Sequence, residues 1–153
     1  MSRAREKGRP LGKPRILIVE DDPFIALELE AVVAEALDGG AEVIVTGSLA
    51  AAGAAAEAPL AFALLDIDVI GGKTFALAAL LAARGTPFAF ASASLPGDLP
   101  EGLRAARFVG KPFSGAVIQA LVLEALGPAG EASVGIAAGA QPDRSKPPAD
   151  EIR

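Results

Sequence analysis

Between residues 15 and 126 the chain alternates short, continuous apolar runs with stripes of helical spacing. The runs are RILIV (15–19), EVIVT (42–46), AFALLDID (61–68), PFAFA (87–91) and RFVG (107–110). Apolar stretches without polar alternation are expected of parallel strands covered on both faces. Between the runs lie a stripe from Phe24 to Leu37, an alanine-rich segment Leu49–Glu57, a stripe from about Thr74 to Arg84, and a last one over Phe113–Leu126. In the first stripe Ile25, Leu29, Val32, Val33 and Ala36 keep helical spacing and are expected to form its inner face. Asp22 is placed to cap that helix with Pro23 at its first position, and Ser48 to cap the second. Gly39-Gly40 and Gly85 mark helix ends. Residues 95–103, LPGDLPEGL, hold two prolines and two glycines, so any fourth helix should be short or distorted. Five strands alternating with five helical segments predict an α/β domain: a five-stranded parallel sheet with helices on both faces. Residues 1–13 read as a flexible basic leader, 14–126 as the folded domain and 127–153 as a disordered tail.

Composition narrows what such a domain can do. Its 153 residues, 52% of them hydrophobic, are enough for one well-filled core. Cysteine and histidine are both absent, which excludes disulfides, Cys/His zinc sites, Ser–His–Asp triads and Cys–His pairs. Chemistry must run on carboxylates, hydroxyls and amines. Residues 1–15 carry six basic groups and one acid, whereas residues 16–126 carry five basic groups and fourteen acids, a net of −9. So acidic a body is not expected to bind nucleic acid. The basic leader reads as a solvated tail with no secretory signal behind it. No apolar run approaches the ~20 residues that cross a bilayer. The expectation is a cytoplasmic protein with no membrane partner.

The polar residues of interest stand where the strands end. Glu20, Asp21 and Asp22 follow the first run, Asp66 the third, Ser92 the fourth and Lys111 the fifth. In a parallel sheet these ends share one edge, where ligands of open α/β sheets bind. Asp66 is the carboxylate to start from, because it closes a buried strand where an acid is a poor packing residue. Like charges ~4 Å apart repel by about 1 kcal/mol in water and by more near a protein. A cluster of three or four carboxylates therefore calls for a cation, and oxygen-only ligands in an open site favour Mg2+.

The segments ILIVEDDP (16–23), ALLDID (63–68), FAFASA (88–93) and FVGKPF (108–113) together resemble the response-regulator receiver domains typified by CheY. They fall in family order, each at a predicted strand end, and span residues 15–126. The resemblance implies the flavodoxin-like strand order 2-1-3-4-5. It also implies a phosphorylation switch in which Asp66 takes a phosphoryl group from a histidine kinase or a histidine phosphotransfer protein. Asp21 and Asp66 would ligate Mg2+ directly, Asp68 through its backbone carbonyl and Glu20 through water. Lys111 would pair with the phosphoryl group, with a cis bond to Pro112. Ser92 and Phe108 match the switch hydroxyl and the switch aromatic. The implied activity is Mg2+-dependent self-phosphorylation with slow dephosphorylation, not turnover of a substrate.

Other readings stand beside this one. Asp66 could serve as a helix cap or salt-bridge partner, Ser92 as an ordinary strand-end hydroxyl, and Phe108 as core. Gly72-Lys73-Thr74 matches the end of a phosphate-binding P-loop, but Ile67 stands where that motif needs glycine. Asp66-Ile67-Asp68 resembles the aspartyl-nucleophile phosphatases of the haloacid dehalogenase type, although that family places the motif on its first strand. A receiver fold that is never phosphorylated is the third reading. The 27 residues from Gly127 are too few for an output domain, so signalling is expected through an unknown downstream protein. On the last helix Val117, Ile118, Leu121 and Val122 can face the core, leaving Ala116, Ala120 and Leu123 as a spare stripe for a partner or a homodimer.

Overall fold

A computed structural model describes residues 12–127. The five runs form β1 (Arg15–Val19), β2 (Glu42–Thr46), β3 (Phe62–Leu65), β4 (Phe88–Ser92) and β5 (Arg107–Gly110). They make one sheet in the order β2-β1-β3-β4-β5, with every neighbouring pair parallel. This is the doubly wound, CheY-like arrangement. Among the described residues the four α-helices are α1 (Pro23–Ala36), α2 (Leu49–Ala55), α3 (Phe75–Arg84) and α4 (Gly115–Leu126). Residues 1–11 of the predicted leader and 128–153 of the predicted tail lie outside the described residues.

Strand side chains alternate between the two faces of the sheet, and the core divides accordingly. Ile16, Ile18, Phe62, Leu64 and Ala89 meet Leu29 and Val33 of α1 and Ile118 and Val122 of α4. Leu17, Val19, Ala63, Leu65 and Phe90 meet α2 and α3 on the other face. That second face is more thinly covered. In place of a fourth helix, LPGDLPEGL forms two single 3-10 turns, Pro96–Asp98 and Glu101–Leu103. Leu99 and Leu103 are nevertheless buried, so the segment covers the sheet with two anchored leucines and no helical face. Beside it an apolar groove of about 510 Å³ runs along Phe75, Ala76 and Ala79 to Pro100 and Leu103.

The caps behave as their residue types require. The Asp22 side chain accepts from the Phe24 and Ile25 N–H groups at 2.9 and 3.2 Å, and Ser48 accepts from Ala51 N–H at 3.1 Å. Gly85 ends α3 in the left-handed conformation, φ 75°, which costs other residues strain. Two expectations, both on the last helix, need correction. The last helix begins at Gly115, not Phe113, because Ser114 caps it by accepting from Val117 N–H. Val117 is 47% exposed and joins Leu123, 49% exposed, on the outer stripe. Buried Ile118 and Val122, four residues apart, define the inner stripe, so position 117 turns outward. On α1 the fully buried set is Ala26, Leu29 and Val33, with Ile25 and Val32 packed at its margin.

Candidate functional site

The sheet ladder itself brings the strand-end residues together. Glu20 is the first residue past β1, and its N–H donates to Thr46 O at 2.9 Å; Asp66 is the first past β3 and donates to Val19 O at 2.8 Å. Lys111, the first past β5, donates to Ser92 O at 3.0 Å. Each site residue is thus held by one more rung of the ladder that built its strand. Their placement follows from parallel pairing and register, with no special loop geometry.

Glu20 is 3% exposed. Its Oε2 accepts from Asp22 N–H at 3.0 Å, and its Oε1 accepts from the Lys111 ammonium at 2.6 Å. The same ammonium donates to Asp66 Oδ2 at 2.9 Å. The second oxygen of Asp66, Oδ1, accepts from Ile67 N–H at 2.7 Å. One cation thereby ties β5 to β1 and β3 at once. The side chains of Lys111, Glu20 and Asp66 are 13%, 2% and 12% exposed, so solvent screens these pairs poorly. Burial pushes the Glu20 carboxyl above its usual range, against the opposing pull of Lys111 and the Asp22 amide. Burial would lower the Lys111 ammonium, yet its bonds to Glu20 and Asp66 outweigh that and hold it above its ordinary value.

Asp21 completes the cluster. One carboxylate oxygen from each of Glu20, Asp21 and Asp66 lies within 4.8 Å of the others, with Asp21 exposed at the mouth. Gly47 stands against Asp21: a Cβ there would meet the Asp21 Cα at 3.4 Å. Three oxygen donors around a single point, one open to water, fit a hard divalent cation that keeps part of its hydration shell.

The structure places the remaining candidates as follows. Ser92 is 2% exposed, and its hydroxyl accepts from Ser94 N–H at 3.2 Å. Phe108 is half-buried and packs on Phe90, with ring centroids 6.5 Å apart, which suits a core residue and a mobile aromatic alike. The Lys111–Pro112 bond is cis. The Asp68 side chain stays outside the cluster and pairs with Lys73. That pair closes a small antiparallel hairpin, Asp68–Val69 with Gly72–Lys73, where a plain loop was expected. The hairpin shows that Gly72-Lys73-Thr74 is no phosphate cradle. Gly72 takes φ 136° there, with its Cα side crowded by Leu49.

Sequence reading missed Thr74. It is fully buried, and its hydroxyl donates to the Asp66 carbonyl oxygen at 2.6 Å. The signal was a polar, β-branched residue at a helix start in an apolar neighbourhood.

The fold and the crevice together define a receiver-type α/β domain. No family model matches the chain, and no curated protein matches it. Among solved structures, the chain is 34% identical to SdrG from Sphingomonas melonis Fr1, over 72% of this chain and 97% of that one, with a TM-score of 0.59. It is 27% identical to the REC domain of the response regulator PhyR from Erythrobacter litoralis, over 75% and 91%, with a TM-score of 0.61. A CheY-like response regulator receiver domain protein from Methanospirillum hungatei JF-1 shares the fold at 23% identity, over 75% and 94%, with a TM-score of 0.61. The chain belongs to the CheY-like response-regulator receiver domains.

Proposed function

We propose that the protein is a phosphoacceptor of a two-component relay, taking a phosphoryl group onto Asp66 from a histidine kinase or a histidine phosphotransfer protein. The observation that carries this reading is the Lys111 ammonium shared between Glu20 and Asp66 beside the open carboxylate of Asp21. An Asp66 carboxylate oxygen forms a bond to phosphorus as the bond from phosphorus to the donor's imidazole nitrogen breaks, giving an acyl phosphate. Such transfers ask the protein for positioning and charge neutralisation more than for covalent work.

Glu20, Asp21 and Asp66, with the Asp68 carbonyl, would hold Mg2+, which when bound offsets negative charge on the transferring group. Asp66 is already oriented, because one of its oxygens accepts from Ile67 N–H. Lys111 neutralises the charge that arrives, since an acyl phosphate adds nearly two negative charges to an acidic edge. Ser92 supplies a hydroxyl whose oxygen already accepts from the Ser94 N–H and whose proton can be donated to a phosphoryl oxygen, a charge-assisted bond of about 1.5–3 kcal/mol. That new bond and the Phe108 rotamer would report phosphorylation to the surface. The outward stripe of α4, Val117, Ala120 and Leu123, is the contact we assign to a downstream protein or a second copy.

The test is incubation with Mg2+ and a small acyl-phosphate donor, followed by intact mass measurement. A gain of about 80 Da that disappears in Asp66→Asn is expected. Continuous hydrolysis of phosphate esters would point to a phosphatase instead. No adduct with any donor or kinase would leave an interaction module.

A further inference from the structure

Thr74 occupies the N-cap position of α3, yet its side chain makes no capping bond to that helix. A cap threonine normally accepts from the N–H groups of the helix it starts. Here the hydroxyl donates at 2.6 Å to the main-chain carbonyl of Asp66. The Thr74 N–H donates to the carbonyl of the next residue, Ile67, at 2.9 Å. Two consecutive carbonyls of the acceptor turn are therefore fixed by one fully buried residue. Between those anchors the Ile67 N–H donates to Asp66 Oδ1, so the backbone that Thr74 fixes is the backbone that aims the acceptor carboxylate. The Thr74 carbonyl meanwhile accepts from Ala78 N–H at 2.9 Å, which ties the clamp to the first turn of α3.

We propose that Thr74 is a positioning residue for the phosphoacceptor: its hydroxyl fixes the Asp66 main chain and, through the Ile67 amide, the direction of the Asp66 carboxylate. The proposal rests on Asp66 being the acceptor only for its effect on phosphorylation; the clamp itself does not need a phosphoryl donor to be seen. A residue that merely fills space here would be replaceable by any side chain of its shape. A positioning residue would not, because small misplacements of a reacting group cost large factors in rate.

Thr74→Val keeps the branch and removes the donor, whereas Thr74→Ser keeps the donor and removes a methyl. Two readouts are compared in the full chain. At saturating Mg2+, the rate of Asp66 phosphorylation by a small acyl-phosphate donor should fall at least tenfold in Thr74→Val and stay within twofold of the parent in Thr74→Ser. Amide hydrogen exchange at Ile67 should accelerate at least tenfold in Thr74→Val and remain near the parent value in Thr74→Ser. Thr74→Ala, which leaves room for water, serves the same comparison should valine prevent folding, and is expected to match valine. Parent-like rates and exchange in the donorless variants overturn the proposal, as does a serine variant as impaired as valine. A parent that takes no phosphoryl group, but shows the predicted exchange pattern, sinks the acceptor reading and leaves the clamp standing.

Discussion

Lys111 and Lys73 both end on carboxylates that follow strands of the same sheet edge, and they differ in almost everything else. Lys111 reaches Glu20, 91 residues away, and Asp66, 45 residues away, with its side chain 13% exposed. Lys73 reaches Asp68, five residues away in the same hairpin, and both side chains are more than half exposed, 56% and 61%. The first pair joins three strands of the sheet. The second staples a turn already closed by backbone bonds and pinned by Leu49 N–H to Ile70 O at 2.8 Å. The contrast teaches that charge pairing on this edge matters where burial shields the carboxylates from water. Exposed pairs trade protein for water at little net gain, while a buried carboxylate stripped of its cation keeps its full desolvation cost.

The largest expected effect follows from removing the shared cation. Lys111→Met preserves volume and leaves Glu20 and Asp66 facing each other, so it should cost about 3 kcal/mol by urea unfolding at neutral pH without Mg2+. A loss below about 1 kcal/mol would place Lys111 in the same class as Lys73. The deficit should also close at high pH. The Lys111 ammonium is held above its usual value of 10.5, so the folded state binds that proton more tightly than the unfolded chain. Its contribution is complete below pH 10.5 and is lost as pH rises through the higher folded-state value. At the acid end the gap narrows too. Burial raises the Glu20 carboxyl above 4.5, so protonation of Glu20 in that region favours the fold and removes the charge that Lys111 balances. A pH-independent deficit would mean that lost packing, not lost charge, explains the variant.

A smaller effect should come from adding a cation. At Mg2+ concentrations about ten times the dissociation constant, the stability gain is about 1.4 kcal/mol by mass action. It should show as a higher melting temperature that Asp21→Ala abolishes. An undiminished response in that variant would remove Asp21 from the proposed metal ligands.

The buried half of this contrast was legible in the sequence, and the exposed half was not. RILIV and AFALLDID announce strands covered on both faces, and once parallel pairing is granted, Glu20, Asp66 and Lys111 must share an edge. Asp22, Ser48 and Gly85 announced their helix ends because each residue type has one inexpensive way to terminate a helix. Thr74 was missed because a hydroxyl's choice between its own helix and a carbonyl eight residues upstream depends on the turn between them. The hairpin at Asp68–Lys73 was missed for the same reason: Gly71-Gly72 permits many turns, and this one is pinned by distant chain, through Ile70 bonded to Gly47 and Leu49. Val117 was misplaced because α4 is apolar almost all round, so periodicity alone could not say which stripe meets α1.

The smallest effect is the sharpest test of the comparison. Lys73→Ala removes an ion pair between side chains that water reaches freely, so the expected loss is about 0.5 kcal/mol, falling toward zero in 1 M salt. The coupling energy can be isolated by a double-mutant cycle with Asp68→Ala, and the same cycle run on Lys111 and Glu20 should give a value several-fold larger. Equal couplings would show that burial is not what separates the two lysines. A coupling above about 2 kcal/mol at Lys73 would further mean that the hairpin depends on its ion pair. Lys73 and Asp68 would then help to hold the segment that follows Asp66.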